Sequence, residues 1–202
     1  MKDTIVSLLQ PELVTEAATQ WDSTEEAVLI DDVTNMVYEF TSPQGRRILR
    51  LTHSSHHTED EIIAELDWMN FLIQQGIPVS CPLLSKNDRL TERFSVQNSY
   101  FVATAFEYAP GYFVHWDNPQ EWDPALIQTF GRIIGRMHHA TKEYNPQHLR
   151  RKRSHWHEDD ILRNAADYLP TDQRQVAADL EKLLLSIVNK EKFSLFIECY
   201  KY

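Results

Sequence analysis

Arg50 and Glu65 stand fifteen positions apart and are the pair in this chain best suited to chemistry. A guanidinium keeps its charge at physiological pH and can bridge phosphate oxygens with paired N–H donors. Arg50 comes late in the strand-like run Ile48-Leu49-Arg50-Leu51, and Glu65 lies beside the apolar stripe of a helical segment. A strand cation facing a cleft, fixed by a carboxylate from the next helix, can hold the phosphates of a nucleotide. Each residue also has a plainer reading, as a solvent-facing arginine between two leucines and a solvated helix-face carboxylate. The elements around them separate the two.

Val37, Glu39 and Thr41 alternate with Tyr38 and Phe40, a strand signal. Ser42-Pro43-Gln44-Gly45 is a turn cluster, and 46–52 reads as a second strand, so the two predict a hairpin. Thr58 and Glu61 form a Thr-x-x-Glu capping box for a helix over 59–75. Ile62, Ile63, Leu66, Met69, Leu72 and Ile73 make its apolar stripe, and Gly76 and Pro78 end it. Further strands are predicted at 81–84, 89–94 and 100–107, with Lys86-Asn87-Asp88 as a turn.

Upstream, residues 3–20 read as short helices interrupted at Pro11, followed by the apolar run Val28–Ile30. Asp123-Pro124 starts a helix whose buried face is predicted to be Leu126, Ile127, Phe130, Ile133, Ile134 and Met137. Residues 144–157 are basic and irregular. Helices follow at about 158–169 and 172–189, then a strand-like run at Phe193–Ile197. Strands before residue 110 and helices after it predict an α+β protein of two lobes, 1–108 and 109–202, hinged near Ala109-Pro110-Gly111.

The hydrophobic share of 42% and charged share of 25% describe a globular chain rather than a disordered one. A net charge of −10 argues against nucleic acid or an anionic membrane as a partner of the whole surface. Cys81 and Cys199 are too few for a disulfide framework and have no zinc spacing, which fits a reducing cytosol. No apolar run reaches spanning length, and the N-terminal one is too short for a signal peptide. The histidines at 53, 56, 57, 138, 139, 155 and 157 have no diagnostic metal spacing and read as polar loop and helix-end residues. The basic tract Arg150–Arg153 runs at once into Glu158, Asp159 and Asp160, so a solvated loop is favoured over a nucleic-acid patch. Gly131 and Gly135 read as close helix packing, since charged neighbours rule out a membrane dimer motif.

Four segments together resemble a known family: Asn35–Phe40, Ile48–Leu51, Ala64–Met69 and Phe106–Gly111. They are similar to the N-terminal lobe of the aminoglycoside phosphotransferase and choline kinase-like family, and Gly135-Arg136-Met137-His138 resembles its Gly-x-Leu-His helix end. The resemblance covers roughly residues 25–200 and is carried by the order and spacing of the segments. It implies a protein-kinase-like fold: an N-terminal antiparallel sheet lobe with one helix, and a partial, mostly helical C-terminal lobe. It implies that Arg50 is the nucleotide-binding cation and Glu65 its ion-pair partner. The backbone of Glu107, Tyr108 and Ala109 would meet adenine, Val37 and Leu49 would wall the base, and Asn35 would lie in the loop over the phosphates. ATP and Mg are the implied cofactors, and a small molecule bearing a hydroxyl is the implied substrate.

In that family a strand like Phe193–Ile197 leads directly into His-x-Asp-x-x-x-x-Asn. Here Ile197 is followed by Glu198-Cys199-Tyr200-Lys201-Tyr202. No catalytic base and no metal ligand is assigned. The expectation is an ATP-dependent small-molecule phosphotransferase cut short before its catalytic loop, with an altered reading frame as one origin. Such a chain would be cytoplasmic and inactive in transfer, with apolar C-lobe surface open to self-association. The rival is a non-catalytic nucleotide-binding or interaction protein with a kinase-like fold.

Overall fold

Strand alternation organises the N-terminal part of the molecule. The computed structural model describes residues 5, 8–32, 35–111, 114, 115, 118, 120–146, 148, 149, 164 and 169–188. Most of the helix expected at 158–169, the run Phe193–Ile197 and Cys199 lie outside them, as do Val33 and Thr34. The chain divides into two compact units, residues 1–137 and 138–202.

The first unit contains a six-stranded antiparallel sheet: β1 Val28–Asp31, β2 Met36–Ser42, β3 Gly45–His53, β4 Pro82–Leu83, β5 Glu92–Val96 and β6 Ser99–Glu107. The order is β1-β2-β3-β6-β4, and β5 also pairs with β6. The predicted hairpin is β2–β3. Ser42 pairs with Gly45 around a two-residue turn, and Gly45 takes φ +114, which only glycine adopts without strain.

Helices cover both faces. Helix α1, Pro11–Thr19, begins at the proline expected to interrupt it, because a first-turn position needs no N–H donor. Its Val14, Ala17 and Ala18 pack with Met36, Phe40, Leu49, Leu51, Phe101 and Ala103 in a closed core. Trp21 ties this helix to the sheet by donating from Nε1 to the Leu83 carbonyl at 3.0 Å.

Helix α2, Glu59–Gln74, lies on the opposite face. The capping box is formed: the Glu61 N–H donates to Thr58 Oγ1, and the Thr58 N–H donates to Glu61 Oε2 at 2.8 Å. At its other end Gly76 takes φ +68, and the Ile77 N–H closes back on the Leu72 carbonyl at 3.0 Å. Ile62 and Leu66 pack with Val102 and Phe106, and Met69 lies against that cluster.

Helix α3, Pro124–Thr141, starts where Asp123 Oδ1 accepts the Leu126 N–H at 2.7 Å. Its expected buried face is not buried. Ile127 and Phe130 are 54% and 61% exposed, and Leu126, Ile133, Ile134 and Met137 are half-buried. Helical spacing predicts an apolar stripe but not what covers it. In the second unit a 3-10 turn, Thr171–Gln173, precedes helix α4, Arg174–Val188, whose Val176 and Leu183 are also exposed.

Candidate functional site: a cleft beside helix α2

Even-numbered residues of β3 and β6 and odd-numbered residues of β2 share one face of the sheet, because Arg50 pairs with Val37 and with Thr104. Helix α2 covers only part of that face. The remainder opens into a cavity of about 770 Å³. Ile30, Ile48, Met69 and Phe106 give it apolar walls, and residues 107–111 line it as well.

The structure brings Arg50 and Glu65 together in this cavity. Nη1 donates to Oε1 at 2.8 Å and Nη2 to Oε2 at 3.4 Å, in a two-pronged pair. The two side chains are 17% and 23% exposed, shielded from water yet open to a ligand. The guanidinium also lies 5.1 Å from the centre of the Phe106 ring.

Glu107, Tyr108 and Ala109 line the cavity. The Glu107 N–H is occupied, donating to the Cys81 carbonyl at 2.9 Å. Burial, then the nearby Glu107 charge, pushes the Cys81 thiol up. A second cation stands near this end: Arg46 pairs with both oxygens of Glu39 at 2.5 and 2.6 Å and lies 3.8 Å over the Tyr108 ring. The hydrogen bond from Arg46 holds the Glu39 carboxyl below the usual carboxylate range.

Leu49 requires a correction. It has no exposed surface and belongs to the core on the α1 side, so it walls no cavity. A side chain adjacent to Arg50 must leave the opposite face of the strand. Ile48, two positions before Arg50, takes the wall position, and period-two counting from Arg50 identifies it. Val37 is half-buried and paired with Arg50, on the cleft side but not on the cavity wall. Asn35 is tied back to the sheet, its Oδ1 accepting from Thr52 Oγ1 at 2.8 Å. Sequence reasoning passed over Ile30, Arg46, Ile48 and Met69 as cavity residues.

The arrangement suits a nucleotide. Arg50 is level with Thr104, and Glu107 is three residues further along β6, a separation of about 10 Å at strand rise. One cavity is lined by apolar side chains, by residues 107–111, and by a cation able to hold phosphate. Among the described residues no three His, Cys, Asp or Glu side chains gather where an ion could be held. The chain does contain one His-x-Asp-x-x-x-x-Asn spacing that sequence reading overlooked, at His157, Asp159 and Asn164. It follows a basic tract rather than a strand-like run, and His157 and Asp159 lie outside the described residues.

This sheet, helix and cleft are those of a protein-kinase-like fold. The chain belongs to the Phosphotransferase enzyme family, whose model matches residues 26–192. Among its relatives, the amicoumacin kinase of Bacillus subtilis (strain 168) is 30% identical over 177 residues, covering 87% of this chain and 52% of that protein. A solved structure of the amicoumacin kinase hAmiN, in complex with AMP-PNP, Ca2+ and Ami, superposes with a TM-score of 0.83 at 30% identity. That match covers 95% of this chain and 57% of the other. A microcompartment-associated aminopropanol kinase shares the fold, with a TM-score of 0.61 at 22% identity over 78% of this chain and 47% of its own. The chain therefore spans about half the length of the relatives it matches. Among the described residues no helix is long and apolar enough to cross a membrane.

Proposed function

We propose that this chain is the nucleotide-binding part of an ATP-dependent kinase that phosphorylates a hydroxyl group of a small molecule. One observation carries the reading: a single cleft holds the Arg50–Glu65 pair, the residues Glu107, Tyr108 and Ala109, and apolar walls. The family and the AMP-PNP bound by hAmiN support it. ATP would set its base between Ile30, Ile48 and Phe106 and present its phosphates to Arg50. Bound ATP supplies the phosphoryl group. Arg50 binds and orients the phosphates, Glu65 holds Arg50, and the apolar walls exclude water from the base. Magnesium, our choice of divalent ion, has no ligand set among the described residues, so no step is assigned to it.

We further propose a nucleotide lobe, 1–108, and a helical lobe, 109–202, with their boundary near Ala109-Pro110-Gly111, and the cytoplasm as the place where the protein acts. Ile127, Phe130, Val176 and Leu183 provide apolar surface for self-association. A second reading, a nucleotide-binding protein without transfer activity, is favoured by one observation. Every residue assigned to nucleotide binding lies in the unit 1–137, and no transfer residue is assigned among the described ones.

Calorimetric titration with AMP-PNP, with and without magnesium, tests the reading. Saturable binding by the native chain that Arg50→Ala weakens at least tenfold is expected; no binding to the native chain overturns it. ATP-dependent phosphorylation of aminoglycosides, choline and homoserine separates the two readings. Turnover abolished by Asp159→Asn would favour the kinase reading for these 202 residues, and bound but unconverted ATP the second.

A further inference from the structure

Two buried polar side-chain atoms have no hydrogen-bond partner among the described residues: Arg50 Nε and Thr104 Oγ1. They belong to cross-strand partners. Arg50 on β3 lies directly opposite Thr104 on β6, so both side chains leave the same face of the sheet as immediate neighbours. One atom is a donor and the other can accept. Thr104 is 1% exposed, and two of its neighbours on this face of β6 are the apolar Val102 and Phe106. A valine has nearly the shape of threonine and no hydroxyl to leave unpaired. A threonine here is a cost to the fold unless its oxygen has work to do.

We infer that Thr104 is a positioning residue for Arg50: its hydroxyl, not bonded to the guanidinium in this structure, turns to take the neighbouring Nε–H and fixes the plane of the guanidinium. The terminal nitrogens are already engaged with Glu65, Nη1 at 2.8 Å and Nη2 at 3.4 Å. With Nε also held, the guanidinium is fixed on two sides. One N–H on each terminal nitrogen remains for phosphate oxygens. The consequence for nucleotide rests on the function proposed above; the hold on Arg50 itself does not. Thr104 touches no reacting atom in this account and acts only through Arg50.

A thermal double-mutant cycle on the full chain tests the hold without any ligand. Thr104→Val is expected to lower the melting temperature by a few degrees in the native background and to raise it or leave it unchanged in the Arg50→Met background. Thr104→Ser, which keeps the oxygen, is expected to stay close to native. An equal rise in both backgrounds shows an idle hydroxyl and overturns the inference. If Thr104→Val fails to fold, the Arg50 Nε–H resonance of the native protein decides. Slow exchange with water supports the hold, and rapid exchange overturns it. AMP-PNP titration then tests the consequence, with about tenfold weaker binding by Thr104→Val and less than twofold by Thr104→Ser. Unchanged affinity in Thr104→Val overturns the role toward nucleotide. Failure of the native chain to bind AMP-PNP overturns the proposed function instead, and the melting cycle still decides whether Thr104 holds Arg50.

Discussion

The two faces of the same sheet are built to opposite rules. On the α1 side, β3 contributes Leu49 and Leu51 and β6 contributes Phe101, Ala103 and Ala105, all at 1% exposure or less. On the α2 side the intervening residues are Ile48, Arg50, Thr52, Val102, Thr104 and Phe106, of which Ile48, Arg50 and Phe106 line an open cavity. One face is sealed by a helix, and the other is only partly covered by one. The sealed face supplies stability, and the open face spends some of it on a paired cation and two buried polar atoms with no partner among the described residues. Alternation lets nine residues of β3 serve both ends at once.

The comparison breaks most severely at Leu49. Truncation to alanine leaves a cavity in a face with no solvent to fill it. Leu49→Ala is expected to cost about 2–5 kcal/mol in denaturant unfolding. Where the variant is still folded, its AMP-PNP affinity should match the native chain. A large loss of affinity in folded Leu49→Ala would place this residue on the cleft after all, against the strand register.

The reverse holds one residue along. Arg50→Ala should leave the α1 core intact and remove charge-assisted contacts to phosphate, weakening AMP-PNP by roughly ten- to a hundredfold, or about 1.4–2.8 kcal/mol. Leu49 and Arg50 thus form a matched pair, one expected to move stability and the other affinity. Variants that move both quantities together would show that the two faces are not energetically separable.

How far the sequence carried this division is clear from these neighbours. The hairpin, the capped helix and the pairing of Arg50 with Glu65 were legible, because turn residues, capping boxes and helical periodicity act locally. The assignment of Leu49 to the cleft failed although the same alternation was in view, since apolar residues belong on both faces here and only Arg50 marks which is open. Ile30 and Met69 reach the cavity from elements distant in sequence, which local pattern does not report. The exposed Ile127 and Phe130 were misplaced for a related reason: a stripe shows that a helix wants a partner, not that it has one.

A smaller effect sharpens the role of α2 as a carrier of Glu65. Thr58 and Glu61 satisfy two of the first-turn groups of that helix. Thr58→Ala is expected to cost about 1 kcal/mol. Because the cap lies seven positions before Glu65, the loss should fray the first turn without moving the ion pair, and AMP-PNP affinity should change less than twofold. A tenfold loss of affinity would mean that the cap, rather than packing of Ile62 and Leu66, sets where Glu65 stands.

The smallest expected effect is a pH dependence carried by His53, at the end of β3 on the sealed side. Its ring is buried, with an edge-on Phe101 ring 5.0 Å away. The Ser55 N–H donates to Nδ1 at 3.2 Å, so that nitrogen is an acceptor. Ser99 Oγ donates to the Val96 carbonyl at 3.1 Å, which leaves it to accept from Nε2–H at 3.0 Å. The neutral ring with its proton on Nε2 therefore meets its neighbours, Ser55 Oγ also donating to Nδ1 at 2.7 Å, and a second proton on Nδ1 would face the Ser55 N–H and require that hydroxyl to turn from donor to acceptor. Burial first, and then the nearby His56, hold the His53 pKa below its ordinary 6.5. A lowered folded-state pKa means that the unfolded chain binds the proton more readily. This contribution is complete above about pH 6.5 and is lost as pH falls from there through the folded value. Glu39, also lowered, acts in a separate window, keeping its contribution above its ordinary 4.5 and losing it below. Melting temperatures between pH 7.5 and 5 should thus decline in the native chain and decline less in His53→Gln, which cannot titrate. Parallel profiles for the two would show that protonation of this ring carries no folding cost, and that the sealed face tolerates charge at its edge.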